Sequence, residues 1–146
     1  MLSRAPALLC GLFLFTGEPA TAQDSLSLPA VIRAAFRQAY PNASILHANR
    51  ERHDGKVVYE VESMDGPQRR DLLYDLEGHA IEIEEIIPVD SLPVAVSAAV
   101  ARDAPSARLV GAERIMRGVA VLYEVQVRRK GRVEALTYDP TGARRE

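Results

Sequence analysis

The sequence predicts an α+β fold: two tandem repeats, each one helix followed by a four-stranded antiparallel meander, together forming one helix-on-sheet domain. Three observations carry this expectation. The two halves of the chain align at an offset of 64 residues, each half opens with a proline-bounded segment of helical periodicity, and each then alternates apolar and polar residues between turn signals.

The chain has 146 residues and begins with an export leader over residues 1–22. Arg4 supplies the positive start, Ala7 to Phe15 the apolar run, and Ala20-Thr21-Ala22 the small-x-small cleavage pattern. The run falls well short of the ~20 apolar residues that span a bilayer, so no stable membrane anchor is expected after cleavage. Cys10 lies inside this run, with Leu9 before it where a lipidation signal needs a small residue. The chain from Gln23 onward has no cysteine, so it carries no disulfide, thiolate metal site or thiol nucleophile. Together these features predict a periplasmic or secreted protein.

The first repeat is expected over residues 23–83, a connector over 84–91 and the second repeat over 92–146. The offset matches Leu28-Pro29 to Leu92-Pro93, Tyr59-Glu60-Val61 to Tyr123-Glu124-Val125, and Tyr74-Asp75 to Tyr138-Asp139, with about 17 identities over 55 aligned pairs. In the first helix Leu28, Val31, Ile32, Ala35, Phe36, Ala39 and Tyr40 share one side. Ser27 or Leu28 caps it and Pro29 falls in its first turn, where a missing N–H is harmless. Pro41 ends it, because the residue before a proline avoids the helical region. Leu92, Val96, Ala99 and Val100 repeat the stripe before Pro105.

Strand periodicity follows. Leu46 and Ala48 alternate with His47 and Asn49, Val57, Tyr59 and Val61 with Val58, Glu60 and Glu62, and Ile81 and Ile83 with Glu82 and Glu84. Asp54-Gly55, Gly118 and Lys130-Gly131 mark hairpin turns. A unit of this size is marginal alone, so the two are expected to share one core beneath two helices on one sheet face. The four repeated tyrosines alternate in phase with the core residues and are expected inside, with Arg50 and Arg114 beside them.

Leu28, Pro29, Pro41, Ala43, Tyr59, Glu60, Val61, Tyr74, Asp75 and Gly78, with their counterparts 64 residues on, resemble the PepSY-like family, a group of beta-lactamase-inhibitor-like periplasmic proteins. The resemblance covers nearly the whole chain after the leader. It implies a tandem helix-plus-sheet fold like that of beta-lactamase inhibitor protein, and a non-catalytic module that inhibits or senses peptidases and envelope proteins.

The residues themselves argue against chemistry. The near-neutral net charge of −2 is unlike the basic excess of a nucleic-acid binder. No zinc-peptidase, nucleophile-elbow or phosphate-loop motif is present. Ser25, Ser27 and Ser91 flank helix starts, where capping explains them. No catalytic residue and no cofactor is expected. The expected contact surface is the sheet face away from the helices, with Glu60, Glu62, Asp71, Leu73, Glu82, Glu84, Leu122, Glu124, Gln126 and Arg128 meeting an envelope protein. Counting register from the turns sets His47, Glu62, Asp71 and Glu82 in one row across four strands. Like charges opposite one another are destabilising, so the row calls for Arg69 and Arg70, a basic partner or a divalent metal. The alternative function is therefore a small-ligand or metal sensor built on that row.

Overall fold

Prolines set the limits of both helices. In the computed structural model, which describes residues 28–145, helix α1 spans Ala30–Ala39 and helix α2 spans Val94–Asp103. Pro29 and Pro93 stand at the N-cap positions, one residue before the first helical turn, and donate no side-chain cap. Their carbonyls accept from the backbone N–H of Arg33 and Ser97, each at 3.0 Å. Leu28, one of the two expected caps, therefore lies before the cap position; Ser27, the other, lies outside the described residues, as do Ser25 and the leader over 1–22. Ser91 belongs to a 3-10 turn (Val89–Ser91) and its hydroxyl donates to the Pro88 carbonyl at 2.6 Å.

Helix α1 leads into β1 (Ser44–His53), β2 (Lys56–Asp65), β3 (Gln68–Tyr74) and β4 (Ala80–Ile86); α2 leads into β5 (Arg108–Arg117), β6 (Ala120–Arg129), β7 (Arg132–Tyr138) and β8 (Arg144–Arg145). All pairings are antiparallel, in one eight-stranded sheet ordered β1 to β8. The expectation of two tandem helix-plus-meander repeats is corrected by this sheet. Strand dominates the chain, β4 pairs with β5 as an interior neighbour, and β8 has only two residues. The strands are thus one continuous structure rather than two meanders side by side. Backbone hydrogen bonding drives this, because a buried strand edge left unpaired at β4 is expensive.

The hairpins form where the turn residues demand. Asp54 and Gly55 both have positive φ (50° and 77°), as do Lys130 and Gly131 (50° and 79°), the geometry of a two-residue turn that matches strand twist.

Both helices lie on the same face, but they do not share a core. Leu28, Ile32 and Phe36 of the first helical segment pack with Ala48, Val61, Leu72 and Tyr74. Leu92, Val96, Ala99 and Val100 pack with Ala112, Val125, Leu136 and Tyr138. A polar belt separates the two clusters. Glu85 on β4 is 8% exposed and receives hydrogen bonds from Arg70 (2.8 Å) and from Arg114 across β5. Burial alone would raise the Glu85 pKa, but these two guanidinium groups outweigh it and hold the carboxyl below its ordinary value. Arg70 also stacks 5.0 Å from the Tyr40 ring centroid. Tyr74 and Tyr138 are core residues, 2% and 0% exposed, and the Tyr138 hydroxyl donates to Asp103 at 3.1 Å. Arg50 and Arg114 stand opposite Tyr59 and Tyr123 in the register.

Candidate functional site

Period-two alternation sends every second side chain away from the helices. No described element covers that second face. It carries Glu60, Glu62, Asp71, Leu73, Glu82, Glu84, Leu122, Glu124, Gln126 and Arg128, and register fixes how they meet. One row runs His47, Glu62, Asp71, Glu84, Ile115, Leu122. A second runs Ile86, Glu113, Glu124, Thr137. A third runs Asn49, Glu60, Leu73, Glu82. Gln126 stands between Gly111 and Ala135, and Arg128 lies toward the end of β6, opposite Arg108.

The first row corrects the expected one. Asp71 faces Glu84, and Leu72 faces Ile83, because the β3–β4 ladder slips between Leu73 and Tyr74. A register counted straight across a tight turn between β3 and β4 has no place for this slip. The actual connection is wider: the Asp75 carboxylate accepts from the N–H groups of Glu77 (3.1 Å) and His79 (2.8 Å). Glu82 therefore leaves the row and pairs with Arg117 of β5 instead. Glu62 pairs with Arg69. Among the described residues no group of three or more His, Cys, Asp or Glu is arranged to hold a metal ion, so the metal row of His47, Glu62, Asp71 and Glu82 does not assemble.

Glu113, Ile115 and Arg117 were absent from the sequence reading of this face. Their placement depends on the β4–β5 pairing, which no hairpin announces.

The electrostatics are uneven. Glu60 accepts from the Asn49 amide at 2.8 Å, and Glu62 and Glu82 each have an arginine. Glu113 and Glu124 face each other across β5 and β6, and Glu84 lies one row away opposite Ile115. Glu84 is half-buried; burial, a hydrogen bond with Glu82 and the charges of Glu82, Glu113 and Glu124 push its pKa up to about 8. Burial and the charges of Glu124 and Asp71 push Glu113 up to about 7. Burial raises Asp71 as well, against the opposing pull of Arg69. Glu124 is 5% exposed and Ile115 is 1% exposed, although both point away from the helices. Long neighbours on an eight-stranded surface bury one another's stems in this way.

Two shallow concavities lie elsewhere, at hairpin ends. Arg129, Lys130, Arg132 and Glu134 line one, and Arg50, Glu51, Arg52 and Val57 the other. The acidic centre of the open face is a surface rather than a pocket.

No family model matches the chain, and no curated protein matches it. Solved structures share its fold. A Bacteroides eggerthii protein provisionally described as periplasmic aligns with TM-score 0.68 at 13% identity, over 80% of this chain and 84% of that one. A DUF2874 family protein from Bacteroides uniformis aligns with TM-score 0.67 at 19% identity, over 80% and 86%. A BLIP-like protein from Bacteroides fragilis aligns with TM-score 0.64 at 18% identity, over 85% and 89%.

Proposed function

We propose that this chain is an exported, non-catalytic protein-interaction module, periplasmic or secreted, that inhibits or senses an envelope protein or peptidase through the open face of its sheet. The observation that carries the reading is that face itself. It is broad, left uncovered by the described elements, and mixes half-buried carboxylates with the half-buried Leu73 and Leu122. Such a mixture suits a polar, reversible protein interface, whereas a small ligand needs a concave, mostly enclosed site. The leader-like residues 1–22 support export. No helix among the described residues is long and apolar enough to cross a membrane. The fold shared with a BLIP-like protein, together with the PepSY-like residue pattern repeated at an offset of 64, supports a binding role over an enzymatic one.

The test is affinity capture from a native envelope extract with tagged residues 23–146, run beside two classes of variant. Glu60→Lys and Arg128→Glu change the open face at half-buried and exposed positions. Arg37→Glu changes the solvent side of α1. Loss of a stoichiometric partner with the first two, at unchanged melting temperature, and retention with the third is the expected result. Equal capture by all three refutes the assignment of the face.

A further inference from the structure

We propose that the end of the sheet at the β6–β7 hairpin is an electrostatic docking surface for an anionic lipid bilayer. The surface is the rim where the strands end, and it holds or fails independently of a protein partner on the open face.

The β6–β7 hairpin and the start of β5 bring together Arg108, Arg128, Arg129, Lys130 and Arg132, all exposed. Register sets them against one another. Arg108 faces Arg128 and Arg129 faces Arg132, so two pairs of like charge have their Cβ atoms about 5 Å apart. Such pairs are destabilising, and the fold does not require them. The β2–β3 hairpin has the same register with no cation at the places 64 residues earlier: Ser44 faces Met64 and Asp65 faces Gln68. Lys130 also takes a left-handed φ of 50°, a turn position that Asn or Gly fills at lower cost.

The chain does not neutralise this corner. Several arginines elsewhere are matched: Arg70 and Arg114 hold Glu85, and Arg117 pairs with Glu82. At the corner Arg129 has Glu134 at 2.9 Å. No carboxylate among the described residues pairs with Arg108, Arg128, Lys130 or Arg132. Five cations thus meet one carboxylate, in a chain whose net charge is −2.

The shape of the corner selects what it meets. Alternation directs Arg108 and Arg128 to the open face and Arg129 and Arg132 to the helix side. A protein seated on either face reaches one pair only. A flat surface meeting the strand ends reaches both pairs and Lys130 at the tip. Arg129, Lys130, Arg132 and Glu134 also line a shallow concavity, where a headgroup phosphate can accept a guanidinium fork. An anionic bilayer is a planar, phosphate-bearing surface of this kind, and export, expected from residues 1–22, brings the chain to one. Each basic residue beside such a surface strengthens binding roughly fivefold. The attraction fades within ~10 Å at about 0.1 M salt, so the contact is reversible and salt-sensitive.

The experiment is flotation of residues 23–146 with two kinds of vesicle, phosphatidylcholine alone and phosphatidylcholine mixed with phosphatidylglycerol. Binding is expected with the mixture only, and is expected to vanish at about 0.5 M salt. Lys130→Gln with Arg132→Gln should weaken it roughly 25-fold. Arg52→Gln with Lys56→Gln removes the same charge at the β1–β2 hairpin, at the opposite end of the strands, and should weaken it less than about threefold. All four positions are exposed, and melting temperatures check the folds. Equal binding to the two vesicles, binding to neither, binding that persists in high salt, or equal losses from the two variant pairs overturns the proposal. Capture of soluble poly-glutamate without capture of the mixed vesicles overturns it in favour of an acidic protein. The vesicle and salt results come from the unaltered chain, so they decide the matter even where a variant misfolds.

Discussion

Replacing Glu84 by glutamine should make the protein more stable at alkaline pH and nearly unchanged at acidic pH. The ordinary glutamate value is 4.5, and in the folded chain Glu84 rises to about 8. The folded state therefore holds a proton that the unfolded state has released across that interval. Where the folded state binds more protons, stability falls as pH rises. The loss begins near pH 4.5 and is complete above about 8. Each tenfold change in proton affinity is worth about 1.36 kcal/mol, so the full displacement sets a ceiling of roughly 5 kcal/mol. Glu84 retains some contact with water and shares its repulsion with Glu82, which brings the measurable effect to about 2–3 kcal/mol. Glu113 adds a smaller loss of the same sign. Carboxylates held low, such as Glu85 and Asp139, change their protonation below about pH 5 and leave this window alone. The assay is urea unfolding at about pH 5 and about pH 8.5. Wild-type stability should drop between the two by about 2–4 kcal/mol, and Glu84→Gln should remove most of the drop. A wild-type curve that is flat or rises over this range would refute the desolvated carboxylate centre.

Three further outcomes follow from the packing. A Cβ at Gly142, whose φ is +81°, would sit 2.5 Å from the Ala95 carbonyl oxygen, while one at Gly131 (φ +79°) meets nothing within 4 Å; Gly142→Ala should therefore cost about 2–4 kcal/mol and Gly131→Ala about 1 kcal/mol, read as melting temperatures. Glu85→Gln weakens the belt between Arg70 and Arg114 and should lower stability near pH 7 by about 2 kcal/mol; because the Glu85 pKa is depressed, the difference should disappear as pH falls below its folded value, and a difference constant down to about pH 2 would contradict the ion-pair account. Tyr138→Phe removes the hydroxyl bonded to Asp103 and should cost about 1 kcal/mol in denaturant unfolding, with no effect on partner capture.

The sequence was most informative where a residue acts locally. Pro41 and Pro105 end their helices, Asp54-Gly55 turns its hairpin, and Tyr74 and Tyr138, in phase with Leu72 and Leu136, enter the core, while Tyr59 and Tyr123 are only partly buried at its edge. It failed where two distant segments decide the outcome. The β3–β4 register depends on a ladder slip beside Leu73 and on a connection wider than a two-residue turn, closed by the Asp75 carboxylate, so a count from an assumed tight turn puts Glu82 in the place that Glu84 takes. The split core was equally hidden: Glu85, Arg70 and Arg114 come from three strands, and no local pattern shows that their side chains converge between the helices. Glu113 joins the site only through β4–β5 pairing, a contact made after an intervening helix rather than a turn. The continuous sheet that replaces the expected pair of meanders has the same origin.

Photo-crosslinking on the intact protein in envelope extract tests the central claim most directly. A photoreactive residue is placed at Leu73 or Gln126 on the open face, and at Ala98 on the exposed side of α2. The account predicts that the same partner band forms from Leu73 and Gln126 and is missing from Ala98. A band from Ala98 alone, or from none of the three while the unmodified chain still captures the partner, would contradict it.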